Sequence, residues 1–124
     1  MKLKPNDPPR EFEAGFDIKR MIKDCGKLEL NADEQITFTT ESGVEYDLTR
    51  KNFGFYATPS INGRLVKFNL RAVLVKNRID RIFMLLVEKG KEDLFDKYMN
   101  EEKMDIIGWF DDPQFLLKIK GDCK

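Results

Sequence analysis

Two apolar runs in the stretch RAVLVKNRIDRIFMLLVEKG, Ala72–Val75 and Ile82–Val87, constrain this chain more than any other feature. Neither alternates between apolar and polar residues, so strands built from them must be covered on both faces. Asn77–Asp80 between them supplies turn residues. The pair therefore belongs at the centre of an antiparallel sheet, and another layer must cover it. The best candidate for that layer is a helix over about Glu92–Glu102, where Leu94, Phe95, Tyr98 and Met99 share one stripe. Glu92 and Asp93 in its first turn suit the positive end of the helix dipole. After it, MDIIGWF reads as a final strand, and Asp112-Pro113 can start a helical turn through Phe115 and Leu116. The pattern leaves residues 113–120 open between helix and strand.

A hairpin is legible in QITFTTESGVEYDLTR, where two alternating segments flank Glu41-Ser42-Gly43, a three-residue loop ending in the glycine that an αL bulge favours. Pairing about that loop sets Thr40 opposite Val44, Phe38 opposite Tyr46 and Ile36 opposite Leu48. One face is then mostly apolar. The other carries Thr37, Thr39, Glu45 and Asp47 and is expected to face solvent.

A second hairpin is expected in NFGFYATPSINGRLVKF, because Asn62-Gly63 is the strongest two-residue turn signal in the chain. Counted from that turn, Phe53 faces Ala72, Phe55 faces Leu70, Ala57 faces Phe68 and Pro59 faces Val66. These pairs are apolar and share one face, which assigns Phe53 and Phe55 to the core. The opposite face would gather Tyr56, Thr58 and Ser60 from one strand with Lys67, Asn69 and Arg71 from the other. Pro59 lacks an N–H and suits an edge or a bulge.

Residues 1–9 carry three prolines and are expected to be an extended arm outside the core. The next stretch, REFEAGFDIKRMIKDCGKLEL, alternates loosely around Gly15 and Gly26 and predicts short strands rather than one helix. The arm is followed by a single domain over residues 10–120, long enough for one core without metal or disulfide staples, and by a frayed tail at 121–124. The expected fold class is α+β: a mainly antiparallel, curved β-sheet or partly open barrel of about six to eight strands with one main helix near the C-terminus. A seven-stranded barrel capped by a C-terminal helix, as in pleckstrin-homology-like domains, is the specific alternative.

Chemistry is constrained as much by what is missing. Histidine is absent, which removes the commonest general base at neutral pH and the commonest metal ligand. No dinucleotide, Walker, zincin or nucleophile-elbow motif occurs. Cys25 and Cys123 are too few and too distant for a disulfide framework or a metal site, and no cofactor is expected. Cys25 has no cationic neighbour in sequence to activate it. Glu45 and Asp47 are the best carboxylate grouping, and Asp111 and Asp112 read as a helix start. Lys+Arg and Asp+Glu balance at 22 each, so neither nucleic acid nor a membrane surface is an expected partner. The charge is uneven along the chain: residues 64–81 are basic apart from Asp80, whereas residues 88–112 are mainly acidic. Such opposed lobes, together with uncovered sheet edges, make a homodimer an expectation. The start, MKLKPNDPP, lacks an apolar h-region, and a cytoplasmic location follows.

The best candidate for function is the polar face formed by Tyr56, Thr58, Ser60, Lys67, Asn69 and Arg71, which joins hydroxyl, amide and cationic donors to one aromatic. Tyr56 could stack on a sugar, and Lys67 and Arg71 could hold an anionic group. At IKDCG (22–26), FTTESG (38–43), FYATPS (55–60), NGRL (62–65) and LVEKGKE (86–92) the chain resembles small uncharacterised bacterial proteins of surface-polysaccharide and sugar-nucleotide gene clusters. That resemblance implies an accessory role in the cytoplasm. The reading that results is a small non-catalytic module that binds a ligand or a protein partner. The alternative is a His-free enzyme acting on a sugar or sugar-nucleotide substrate.

Overall fold

A computed structural model describes residues 1–121. Cys123 and most of the tail expected to fray fall outside them. The two apolar runs form β6 (Leu70–Lys76) and β7 (Ile82–Glu88), paired antiparallel with Val73 opposite Leu85 and Val75 opposite Phe83. The final strand β8 (Asp105–Trp109) pairs on the other side of β6, so β6 is central and both partners are edges. β6 holds three of the fully buried residues, Ala72, Val73 and Val75, each at 0% exposure.

Each face of this sheet has its own core. On one side Val73, Val75 and Val87 pack under α2 (Glu92–Glu102) through Phe95 and Met99. The Phe95 ring meets Trp109 edge-on, with centroids 5.4 Å apart. Of the four residues on the expected helix stripe, Phe95 and Met99 are buried, whereas Leu94 and Tyr98 remain exposed. On the other side Leu70 and Ala72 pack with Leu65, Val44 and Phe110. Phe115 of α3 (Pro113–Lys120) joins this core, lying so close to β8 that a Cβ on Gly108 would overlap its ring. Residues 113–120 are thus helical. Asp112 caps them by accepting the Gln114 N–H at 3.0 Å, with Pro113 at the first helical position.

A second sheet, ordered β3-β4-β5, joins β3 (Gln35–Thr39), β4 (Glu45–Lys51) and β5 (Gly54–Tyr56). Its first hairpin has the expected register, with Ile36 opposite Leu48 and Phe38 opposite Tyr46. Gly43 sits at φ 92° and its N–H donates to the Thr40 carbonyl at 2.9 Å. Val44 and Tyr46 on the apolar face enter the core.

The second expected hairpin does not form. The chain reverses earlier, at Asn52-Phe53, where Gly54 at φ 142° permits the return. Phe55 therefore pairs with Arg50 rather than Leu70, and Phe53 and Phe55 are 78% and 59% exposed instead of core. Asn62-Gly63 leads into α1 (Arg64–Lys67), a short helix that buries Leu65 completely. Ser60 drives this local choice: its carbonyl accepts from Gly63 and Leu65 N–H, and its Oγ accepts the Arg64 N–H at 2.8 Å. A turn that nucleates a helix cannot also close a strand ladder.

The N-terminal residues form a third sheet, a ribbon of β1 (Lys2–Ala14) and β2 (Arg20–Glu29) interrupted by a register shift between Pro5 and Arg10. No residue of either strand is buried. The ribbon meets the rest of the protein at its turn: Glu102 accepts the Phe16 N–H at 3.1 Å, Arg20 pairs with Glu101 at 2.7 Å, and the Arg78 guanidinium lies 3.4 Å from the Phe16 ring centroid. None of the three sheets closes, so the barrel alternative is not realised. No helix among the described residues is long and apolar enough to cross a membrane.

Candidate functional site

On the first hairpin's polar face Thr37, Thr39 and Glu45 are exposed as expected, but the end of that face around Asp47 does not look onto solvent. The segment from Ala57 to Gly63 folds over it, and together they enclose a cleft of about 160 Å³ lined by Gln35, Asp47, Thr49, Tyr56, Pro59, Ser60 and Arg64. The location follows from local chemistry. Gln35, Asp47 and Thr49 alternate onto this face because strand side chains have a period of two. Pro59, buried, forms the wall where the chain leaves β5, and Ser60 sits at the start of α1.

Asp47 is the buried acid of the site, at 8% exposure, which corrects the expectation that it faces solvent. Burial of a carboxylate is costly unless it is paired. Here Thr37 Oγ1 donates to its Oδ1 at 2.7 Å and Arg64 reaches its Oδ2 at 3.2 Å. Glu45, two residues earlier, stays exposed, so the expected carboxylate pair does not act as a unit. Arg64 also lies 5.3 Å from the Phe68 ring centroid, which holds the exposed guanidinium over the cleft. Gln35 Oε1 accepts from Thr49 at 3.0 Å, leaving its amide N–H groups unused by that contact. With the Ser60 and Tyr56 hydroxyls and the guanidinium, the cleft is rich in donors.

Of the six expected site residues, Tyr56 and Ser60 line this cleft and Thr58 is half-buried in the bend between them. The other three go elsewhere, because they were to join Tyr56 across a ladder that does not exist. Lys67 is exposed in α1, and Asn69, at φ 66°, ends the turn into β6 while its carbonyl accepts from Lys89 N–H at 2.9 Å. Arg71 lies on the α2 side of β6, forked onto Asp111 at 2.7 and 3.1 Å, bonded to Glu92 at 3.2 Å and 4.0 Å from the Trp109 ring centroid. The fork holds the Asp111 carboxyl below its usual value, and the two carboxylates raise Arg71 despite its partial burial. That cluster ties β6, α2 and the end of β8 together and leaves little of Arg71 for a ligand.

Gln35, Thr49, Pro59 and Arg64 line the cleft without being expected site residues, and Asp47 was expected only as a carboxylate beside Glu45. The alternation that put Asp47 and Gln35 on one face was visible, but the segment that covers them was assigned to another pairing. A second concavity of about 230 Å³ is mainly apolar and lies between the ribbon turn, β7 and α2, with Phe16, Ile79, Phe83, Tyr98 and Met104 among its walls. Among the described residues no group of His, Cys, Asp and Glu is placed to hold a metal ion. Comparison with protein-family models, with curated proteins and with solved structures finds no match to this chain.

Proposed function

We propose that this protein is a non-catalytic binding module that takes a small hydroxylated or anionic ligand, such as one sugar unit of a sugar nucleotide, in the Asp47–Arg64 cleft. The observation that carries this reading is the convergence of Tyr56, Ser60, Gln35 and Arg64 around a carboxylate already satisfied by its neighbours. Pockets for drug-sized ligands run to about 300–1,000 Å³, so a cleft of about 160 Å³ suits one ring or one charged group with the remainder outside. Asp47 is engaged by Thr37 and Arg64, which supports an orienting role over general acid or base work. An accessory role beside enzymes of sugar-nucleotide or surface-polysaccharide synthesis accords with the resemblance to proteins of such gene clusters, and a cytoplasmic location belongs to the same proposal.

Amide NMR titration with sugar nucleotides, free monosaccharides and inorganic phosphate tests it. The expected result is a set of shift changes centred on Tyr56, Ser60 and Arg64, abolished by Tyr56→Ala with Arg64→Gln while the remaining spectrum stays folded. Shifts centred elsewhere, no shift with any of these probes, or conversion of a probe to product would each overturn the reading.

A further inference from the structure

We propose that β7 is a self-association edge, at which a second copy of the chain adds its own β7 antiparallel and joins the two central sheets into one of six strands. The argument begins with how this fold treats its other edges. Sheet edges are commonly blunted by proline, charge, irregularity or shortness, because unpaired N–H and C=O groups invite another strand. β1 carries Pro5, Pro8 and Pro9, and β2 carries Arg20, Lys23, Asp24 and Lys27. β3 and β5 have five and three residues, and β8 has five and a register shift. β7 has none of these devices. It runs seven residues without proline, and Ile82 to Val87 are all uncharged and apolar.

The strand is also open. Outside its ladder with β6, no backbone hydrogen bond is made by Ile82–Val87. Ile82, Phe83 and Met84 are 62%, 44% and 47% exposed, although they belong to the most apolar strand in the protein. The chain exposes 9135 Å², where a compact monomer of this mass exposes about 6,900 Å², an excess that the uncovered ribbon shares with the open apolar edge of β7. The excess is larger than the roughly 800 Å² per partner that a standard interface buries.

Symmetry selects the register. Two copies of one strand pair antiparallel about a two-fold axis normal to the sheet, so opposed residues lie on the same face. An axis at Leu85 would set Ile82 against Glu88 of the second copy. An axis at Met84 sets Ile82 against Leu86, Phe83 against Leu85 and Met84 against itself, which keeps these central pairs apolar, places the three exposed residues among them, and leaves Val87 and Glu88 opposite Arg81 and Asp80 at the margin. The α2 layers of the two copies then lie on the same side of the joined sheet.

Sedimentation velocity of the full chain at high micromolar concentration should report twice 14.5 kDa. Ile82→Lys and Met84→Lys, each at an exposed position, should shift it to 14.5 kDa with an unchanged circular dichroism spectrum. With Cys25 and Cys123 replaced by serine, Met84→Cys should form a disulfide dimer on mild oxidation, because opposed residues stand about 4.5–5.5 Å apart at Cα, within disulfide reach. Leu94→Cys, exposed on α2, should not. A monomeric wild type, a dimer that survives both lysine variants, or equal cross-linking through Leu94→Cys would overturn the proposal.

Discussion

The central sheet and the N-terminal ribbon are both antiparallel, and the ribbon has the longer strands, 13 and 10 residues against 7, 7 and 5, yet they are held in different ways. β6 is covered on both faces and contributes three residues of 0% exposure. The ribbon contributes no buried residue, and side chains such as Phe12, Ile22 and Leu28 are each about 40% exposed, at 39%, 42% and 41%. Its internal pairs, Lys4–Glu29 at 3.2 Å and Arg10–Asp24 at 3.1 Å, are largely solvated, and such pairs contribute about 0–1 kcal/mol each. A two-stranded ribbon without a second layer is marginal in water. Strand pairing therefore organises both regions, but burial stabilises only one of them.

The largest effect should come from the buried side. Phe95→Ala removes the ring that packs α2 onto Val73, Val75 and Trp109, and should cost about 3–5 kcal/mol in a denaturant titration. Phe12→Ala in the ribbon should cost under about 1 kcal/mol, since much of that ring is already in water. Equal losses would erase the distinction between the two regions.

An intermediate effect should come from Arg71→Met, which strips Asp111 and Glu92 of their shared partner and should cost about 1–3 kcal/mol, at the lower end because the cluster is partly exposed. Its pH dependence follows from the direction of the Asp111 shift. The Arg71 hydrogen bond lowers the folded-state value below the usual 3.8, so the stabilisation is fully present above that value and is lost as pH falls through the folded one. Wild type and variant should differ most near neutral pH and converge in acid. A gap that stays constant down to strongly acidic pH would show that the loss is one of packing over Trp109.

The smallest effect should be seen by cutting the ribbon's tether. Arg20→Ala removes the 2.7 Å pair with Glu101 and should change global stability by about 0–1 kcal/mol. Amide exchange resolves what the global measurement does not: residues in 2–29 should exchange by local opening, well before β6, and faster still in Arg20→Ala. Protection of the ribbon equal to that of β6 would mean that something covers it in solution.

Several elements were legible because their information is local. The Glu41-Ser42-Gly43 loop and the alternation on either side of it specify the β3–β4 register, since a slip of one residue would invert both faces. The acidic first turn and the apolar stripe delimit α2 at Glu92–Glu102, and Asp112-Pro113 marks the start of α3. The doubly apolar runs identify the central pair, because no other placement covers both faces.

The stretch from Asn52 to Arg71 was not decided locally. Its turn chemistry allowed two reversals, one at Asn62-Gly63 and one at Asn52-Phe53, and the alternation of apolar residues suited the first. The folded chain takes the second, because β4 offers Thr49–Lys51 as a free edge for β5, while Ser60 converts the Asn-Gly turn into the start of a helix whose Leu65 fills the core. The candidate site moves with that choice: Tyr56 and Ser60 stay, Asp47 and Arg64 enter, and Arg71 is taken by Asp111 on the other side of the sheet. Periodicity along one strand states which residues share a face. What covers that face depends on which distant edge the next strand finds, and that competition is settled only when the core closes.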